Sequence, residues 1–203
     1  MTTQVKISSP SIETVTFKIR GDAPLMTARF SKKAELMDKM SRVAAPGKKP
    51  ERTARDYDAE AAAAAYVFDD GTNGIPASAF RAAMISACRL VGFKMTIAKM
   101  SIFVVADGFD ARDSTPLVRI NAPPYEVHTM HTRNATGVVD IRARPMYKPG
   151  WEADVTVRFD SAQFSLEDVT NLMMRVGIQV GLCEGRPDSK SSAGLGFGTF
   201  ELQ

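Results

Sequence analysis

The sequence predicts an α+β protein in which two helices pack on one face of an antiparallel sheet. Two amphipathic helical patterns, separated by segments in which apolar residues alternate with polar ones, support this class. The chain has 203 residues, of which 44% are hydrophobic and 24% charged, a composition typical of a globular protein. A chain of this length can bury one sizeable core. We therefore expect a single domain over residues 1–203.

The first strand is predicted at Ile12–Arg20, where every second residue of the later half is apolar. An irregular region from 23 to 73 follows it, with helices expected near Lys32–Met40 and Tyr57–Tyr66. An excursion of about fifty residues is too long for a passive connection. We expect this insertion to serve a function of its own.

The first long helix is predicted to begin at Pro76, because proline is tolerated in the first turn. Its buried stripe is expected at Phe80, Met84, Cys88 and Val91, which recur at helical spacing.

Four further strands are predicted between the two helices. The apolar segment Met95–Ala106 is expected to be one strand, and Pro116–Ile120 a short second one. Val139–Ala143 and Val155–Phe159 alternate in polarity on either side of the turn residues Lys148–Gly150. This pattern predicts a hairpin.

The second helix is predicted to begin after Ser165, with Asp168 three residues further on as its capping partner. Its core stripe is expected to run from Leu166 to Val180, and a last strand to end the glycine-rich segment Gly194–Leu202. The order strand, helix, strand, strand, helix, strand is that of a ferredoxin-like βαββαβ core with a long basic insertion after its first strand. The sheet face opposite the helices is expected to be free for a ligand.

Positive charge is concentrated in one part of the chain. The net charge is only +3, but the stretch from Lys18 to Arg55 holds eleven basic residues and four acidic ones. The rest of the chain therefore carries a net charge of −4. A segment this basic on a near-neutral body indicates an arm that binds a polyanion. The alternative interpretation is a solvated loop without a partner.

The sequence indicates no contact with a membrane. It contains no apolar run long enough to span a bilayer, and its first residues lack the layout of a signal peptide. We expect the protein in the cytoplasm of a bacterial or phage-infected cell. Cys88 and Cys183 are then expected to be reduced, buried thiols.

Segments near opposite ends of the predicted core resemble one family. Gly74–Met84 reads GIPASAFRAAM and resembles the helix start of the repeat-associated mysterious proteins, the superfamily that builds the RNA-holding backbone of CRISPR effector complexes. Gly181–Pro187 (GLCEGRP) and Gly194–Phe200 (GLGFGTF) resemble the C-terminal glycine-rich loop and last strand of that superfamily. Their order and spacing fit its modified RNA-recognition-motif fold.

The resemblance implies an RNA-binding subunit, although three residues of this sequence depart from the family's helix start. Ala82 replaces the usual glycine of the family's helix start, Ile85 stands for a basic residue, and Arg81 stands for a lysine. The chain is also short for a CRISPR backbone subunit and is similar in build to phage-encoded proteins. A role outside CRISPR therefore stays open.

Elementary physical chemistry supports the same mode of binding. Glycines let a backbone approach phosphates closely, and a helix start offers free N–H groups and the positive end of the helix dipole. We expect nucleic acid to contact the basic residues, the helix start and the glycine loop, namely Arg20, Arg29, Lys32, Lys33, Lys48, Lys49, Arg52, Arg55, Ser78, Arg81, Arg142, Arg144, Arg186, Gly194, Gly196 and Gly198. Two alternatives stay open: the glycine loop is a tight turn that serves packing only, and the two arginines of the predicted hairpin lie on an exposed edge.

Catalysis and metal binding find little support in the sequence. His128 and His131 are spaced by three, but no nearby cysteine or carboxylate cluster completes a metal site. Some members of the superfamily cleave RNA with a histidine, and others with an aspartate after the first strand, where Asp22 stands. A turn-capping or salt-bridging Asp22 is the favoured interpretation. We expect no catalytic residue, no metal and no cofactor.

The sequence therefore predicts a non-catalytic protein that binds single-stranded RNA or DNA and assembles side by side along it. The expected contact between copies is head to tail, through Tyr57, Tyr66 and Phe68, unless these residues pack on their own core. One alternative is an endoribonuclease of the same fold. The other is a phage assembly or interaction protein whose basic arm binds an acidic partner.

The basic arm leads to a first prediction. Replacing Lys48, Lys49, Arg52 and Arg55 together by alanine should weaken binding to single strands, because each phosphate contact contributes to affinity. The thermal midpoint should stay nearly unchanged, because loop charges contribute little to a core. Fluorescence titration and thermal melting of the same preparations check both parts. A fall in the midpoint of about ten degrees or more would show that the segment is structural.

Overall fold

Three antiparallel sheets and four helices make up the part of the chain that the computed structural model describes, residues 9–29, 55–133, 139–189 and 193–203. The strands are β1 (Ile12–Gly21), β2 (Leu25–Met26), β3 (Gly74–Pro76), β4 (Ile102–Val104), β5 (Gly108–Phe109), β6 (Pro116–Arg119), β7 (Glu126–Arg133), β8 (Val139–Tyr147), β9 (Glu152–Asp160) and β10 (Phe200–Leu202). The helices are α1 (Tyr57–Ala64), α2 (Ala77–Leu90), α3 (Met95–Ser101) and α4 (Leu166–Arg175), and a π-helical turn (Val176–Val180) continues α4. No helix in these ranges is long and apolar enough to cross a membrane.

The central sheet has four strands in the order β10-β1-β9-β4, and each strand is antiparallel to its neighbours. The pairing of β1 with β9 is the longest in this sheet and runs from Ile12 opposite Asp160 to Arg20 opposite Glu152. Helices α2 and α4 pack together in the core that lies against this sheet. The α+β class predicted from the sequence is therefore confirmed.

The two predicted helices form where their local signals place them. Phe80, Met84 and Cys88 of α2 are fully buried, as helical spacing predicts. Ser165 caps α4 through a complete capping box: its side chain accepts from the backbone N–H of Asp168, whose carboxylate accepts from the N–H of Ser165. Val91 and Leu166, expected at the ends of the two core stripes, are about half exposed instead.

The predicted hairpin between Val139 and Phe159 is wrong. Strand β8 pairs with β2 and β7 in a second sheet, whereas β9 pairs with β1 and β4 in the central one. Gly150, at a φ of 96°, turns the chain from one sheet into the other, and its N–H donates to the carbonyl of Gly21. The alternation of polar and apolar residues predicts which face of a strand is buried, but it does not predict which strand is its partner.

The predicted strand over Met95–Ala106 is wrong in its first half, which forms α3. Methionine, alanine and lysine in this segment are strong helix formers. Met100 is 80% exposed, so the apolar content that suggested a strand does not reflect burial. Only Ile102–Val104 join the central sheet, as its edge strand β4.

A close contact between Gly21 and Trp151 connects the end of β1 to the start of β9. Trp151 is fully buried, and its indole N–H donates to the carbonyl of Ala23 at 2.9 Å. A Cβ placed on Gly21 would lie 2.0 Å from the indole nitrogen, which is closer than any real contact. The absence of a side chain at position 21 is thus what lets the tryptophan lie against the strand.

Substituting Gly21 by alanine tests this contact. We expect the free energy of unfolding to fall by about 3 kcal/mol or more, because neither the buried ring nor the paired strand can move away. Gly92→Ala is the matched control: its φ is +71° but nothing lies near the added Cβ, so strain alone should cost about 1 kcal/mol. Denaturant unfolding measures both variants, and equal losses would contradict the assigned role of Gly21.

Candidate nucleic-acid interface

A cleft of about 1190 Å³ lies between α1, strand β8 and the beginning of α2. Arginines from four separate segments line it, namely Arg29, Arg55, Arg142 with Arg144, and Arg186. The carboxylates that line it are Asp56, Glu60 and Glu184, so its walls carry a net charge of +2. We refer to it as the arginine cleft. Six of the residues predicted to bind nucleic acid, these five arginines and Ser78, meet here.

Strand β8 supplies the wall of the cleft. Arg142 and Arg144 are two residues apart on it and therefore point to the same face of the sheet. The Nε of Arg144 donates to the Glu184 carboxylate at 2.8 Å, and its Nη1 lies 3.9 Å from that of Glu60. These carboxylates fix the guanidinium in one orientation while its side chain is only 13% exposed.

The loop after the π-helical turn forms the part of the wall next to Arg144 and has an unusual run of backbone conformations. Gly181, Cys183 and Gly185 all have positive φ, and Cys183, at 61°, does so despite its side chain. Burial raises the pKa of the Cys183 thiol to about 12, so it is neutral at pH 7. The loop carries Arg186 into the cleft, where its Nη1 donates to the Cys183 carbonyl at 2.9 Å.

The start of α2 borders the cleft with small residues. Pro76 is its N-cap residue and provides no side-chain hydrogen bond to the first turn, while Ser78, Ala79 and Ala82 line the cleft. The backbone N–H groups of a first turn have no partner within the helix. Together with the helix dipole, they favour an anion at this end of the cleft.

An ion-paired arginine and an aromatic ring form the inner end of the cleft. Arg29 pairs with Asp110 at 2.8 Å and with Asp113 at 2.5 Å, and its guanidinium carbon lies 5.7 Å from the centre of the Tyr66 ring. Its side chain is 5% exposed and that of Asp110 is fully buried. Burial raises the pKa of Tyr66, so its hydroxyl stays protonated at neutral pH. The role of Asp110 could not be predicted from the sequence, because a single aspartate after a short strand has no local pattern.

Of the remaining predicted residues that the structure describes, Arg20 and Arg81 lie outside the cleft. Arg20 lies on the outer face of β1. The guanidinium of Arg81 donates to the carbonyls of Lys99 and Ile102 and lies 5.0 Å from the centre of the Phe103 ring. Arg81 thus fastens α2 to α3 and β4. The predicted Lys32, Lys33, Lys48, Lys49 and Arg52 fall outside the described residues.

Close packing requires glycine at two of the three predicted glycine positions in the glycine-rich loop. A Cβ on Gly194 would meet the carbonyl oxygen of Arg186, and one on Gly198 that of Leu182, each at 2.1 Å. Gly196 has open space around it, and glycine is favoured there because its φ is +74°. Gly194 and Gly198 therefore brace the loop that carries Arg186 into the cleft.

The outer face of the central sheet, which is expected to be free for a ligand, carries no excess of positive charge. Among the described residues, three basic side chains lie there with four acidic ones, namely Lys18, Arg20 and Arg158 with Glu152, Asp154, Asp160 and Glu201. These side chains alternate with the buried ones along β1 and β9. The arginine cleft, whose lining residues carry a net charge of +2, is therefore favoured over the sheet as a site for a polyanion.

The candidate catalytic residues have different contacts. Asp22 accepts a hydrogen bond from the Thr199 hydroxyl, in agreement with a turn-capping role. His128 lies opposite Arg144 in the β7–β8 register and its ring contacts Phe197, whereas His131 is exposed further along the strand. Within the described part of the chain, no group of three or more potential ligands is placed to hold a metal ion.

The aromatic residues proposed for contacts between copies have different surroundings. Phe68 is 5% exposed, lies against Gly74 and Gly108, and has Arg119 over its ring at 4.3 Å. It therefore packs within its own chain, as the alternative interpretation held. Tyr66 lines the arginine cleft, and Tyr57 is half-buried on α1.

The Arg29–Asp110 pair makes stability depend on pH. Burial by itself raises the pKa of Asp110, but hydrogen bonds from the Val67 and Arg112 backbone and from Arg29 outweigh it and hold that pKa below its ordinary value. A carboxyl group with a lowered folded-state pKa stabilises the fold above its unfolded pKa of about 4. This contribution is lost as the pH falls through the folded-state value.

Asp110→Asn should therefore lower the free energy of unfolding by about 3 kcal/mol at pH 7, because it leaves the buried Arg29 with one carboxylate fewer. The deficit should shrink as the pH falls below about 4, where the wild type also loses the charge. Asp113→Asn, at a carboxylate that is 37% exposed, should cost less. Urea unfolding across this pH range measures all three proteins, and a deficit independent of pH would contradict the assignment.

Comparison with known proteins finds likeness only among solved structures. No family model and no curated protein matches the sequence. The chain is similar to a subunit in a cryo-EM structure of the type III-B Cmr-beta complex bound to cognate target RNA, with 12% identity, a TM-score of 0.47, and coverage of 95% of this chain and 59% of that one. It is also similar to Cmr6 from Pyrococcus furiosus in a crystal structure, with 12% identity, a TM-score of 0.43, and coverage of 95% and 99%.

Both neighbours are Cmr proteins. The chain spans about three-fifths of the length of the first of them.

Proposed function

We propose that this protein binds single-stranded nucleic acid in the arginine cleft, without cleaving it. The observation that carries the proposal is the convergence of five arginines from four separate segments on one cleft. Arginine is the side chain best suited to phosphate, because its planar guanidinium donates two parallel hydrogen bonds. A Cmr-beta structure bound to target RNA is among the neighbours, and RNA is the first ligand to test.

The carboxylates of the cleft support rather than oppose this function. Glu184 and Glu60 hold Arg144 in place before any ligand arrives, so little side-chain freedom is lost on binding. Asp110 and Asp113 do the same for Arg29. Phosphates are then contacted by Arg142 and Arg186 at the wall and by the N–H groups at the start of α2. Tyr66 offers a ring on which a base stacks, a contact that tolerates any sequence.

The topology supports a ferredoxin-like core as the frame of this site. The elements β1, α2, β4, β9, α4 and β10 follow one another as strand, helix, strand, strand, helix, strand. Their strands lie in the spatial order fourth, first, third, second. Two described residues of the insertion from 23 to 73, Arg29 and Arg55, line the arginine cleft. We propose that its basic residues add to the same binding site.

Assembly along the strand belongs to the same proposal. A cleft of this size contacts only a few phosphates, and a few phosphates give weak binding at physiological salt. Side-by-side copies on one strand, in head-to-tail contact, convert weak single sites into a cooperative array. Tyr57 remains available for such a contact, whereas Phe68 does not. DNA is expected to bind as well, because phosphates and stacked bases are common to both polymers.

Paired double variants test the cleft against the sheet. Arg142→Ala with Arg186→Ala removes two cleft guanidinium groups, and Arg20→Ala with Arg158→Ala removes two from the outer sheet face. With a labelled single-stranded RNA, the cleft pair should weaken binding at least about tenfold. It should also reduce the slope of log K against log salt by about 1.4, or about 0.7 for each phosphate contact. The sheet pair should change both values little.

Several outcomes would contradict the proposal. Equal losses in the two double variants would place binding outside the cleft, and a flat salt response of the wild type would remove phosphate as the ligand. The RNA should be recovered intact after incubation with the wild type, and shortening that His128→Ala abolishes would favour the endoribonuclease instead. Single-stranded DNA of the same length, titrated in parallel, measures the preference between the two polymers.

A further inference from the structure

An exposed apolar stripe runs along α4 and the π-helical turn, on the side away from the core. Leu166 is 52% exposed, Met174 46% and Ile178 70%, and they recur at intervals of four and eight residues. Thr170 occupies the remaining position of this row. Its hydroxyl donates to the Leu166 carbonyl at 2.8 Å, so the hydroxyl has a hydrogen-bond acceptor within its own helix. Three large apolar side chains in one row are more than scattered surface residues explain.

A groove of about 660 Å³ lies directly beside this stripe, between α4 and the end of α2. Its walls are largely apolar and include Val91, Phe164 and Leu172, while Met174 and Ile178 form its outer rim. Protruding side chains and a cavity that can receive them therefore belong to one patch. A patch of this kind can pair with itself about a twofold axis.

Charge along α4 determines which orientation of two such helices is favourable. The first turn is acidic, with Glu167 and Asp168, and the last turn is basic, with Arg175. Antiparallel helices bring the acidic turn of one copy beside Arg175 of the other, and they also oppose the two helix dipoles. Parallel helices would instead place like charges together.

We propose that this patch is a dimer interface, in which α4 packs antiparallel on α4 of a second copy. The rows of residues four apart interdigitate, which is the commonest way for two helices to pack. Ile178 of each copy enters the groove of the other. The contact lies apart from the arginine cleft, needs no nucleic acid and closes on itself, so it is distinct from head-to-tail assembly along a strand.

Sedimentation velocity of the nucleic-acid-free protein over a wide range of concentrations tests the interface. The wild type should dimerise, and Ile178→Lys should raise the dimer dissociation constant at least about tenfold. Met100→Lys is the matched control, because Met100 is 80% exposed on α3 and lies outside the patch. A wild type that is monomeric throughout, or equal effects of the two lysines, would overturn the proposal.

A charge exchange tests the antiparallel orientation. Arg175→Glu alone should raise the dissociation constant, and Glu167→Arg added to it should restore the wild-type value, because the pair of opposite charges is rebuilt. Failure of the exchange to restore association would exclude this orientation. Thermal melting of every variant checks the fold, and Asp168 is left unchanged because it completes the capping box. RNA titration of Ile178→Lys should give the wild-type affinity per site, so failure here leaves the arginine cleft untouched.

Discussion

The hydrogen bonds around Gly21 hold together the elements on which the arginine cleft depends. The N–H of Gly21 donates to the Trp151 carbonyl, and its own carbonyl accepts from the N–H of Gly150, both at 2.7 Å. At this point β1 ends, the chain from β8 enters β9, and the segment leading to β2 departs. Because Trp151 fills the space that a side chain at position 21 would take, the three segments meet at a fixed distance. The central and second sheets are thereby set at one relative position.

The shape of the cleft depends on this junction. Strand β8 carries Arg142 and Arg144 and ends at this junction. Strand β2, which leads to Arg29, pairs with β8. The loop with Glu184 and Arg186 is attached to the same place, because the N–H of Glu184 donates to the Met26 carbonyl at 2.9 Å. Arginines far apart in the sequence are thus brought together by backbone hydrogen bonds rather than by any attraction between like charges. Carboxylates among them offset the repulsion.

This arrangement explains why a protein of small net charge can carry a site for a polyanion. Over the described residues as a whole, acidic side chains outnumber basic ones, and the outer face of the central sheet carries no excess of positive charge. Five arginines and three carboxylates line the cleft, two further carboxylates (Asp110 and Asp113) pair with Arg29, and helix α2 adds the positive end of its dipole. Low exposure of Arg29 and Arg144 strengthens their electrostatic interactions, because less water screens them. The attraction of the cleft for a polyanion therefore depends more on where these charges lie than on how many there are.

The amino-acid sequence by itself determined the local elements of this protein. Helical spacing predicted the buried face of α2, Ser165 and Asp168 predicted the start of α4, and alternation predicted β1 and β9. Each of these follows from interactions within a few residues, which a linear pattern records. Met95–Ser101 was the exception, because an apolar segment that is helical and partly exposed has the composition of a strand.

Only the tertiary structure decided which strands pair and which side chains meet. The backbone groups that join strands are the same in every residue, so β8 and β9 gave no sign that they belong to different sheets. The residues Arg142 and Arg186 could be named from the sequence as candidates, but their common cleft could not. Asp110 and Glu184 were missed for the same reason: a carboxylate acquires its role from an arginine that is distant in the chain, and only the folded backbone brings the two within hydrogen-bonding distance.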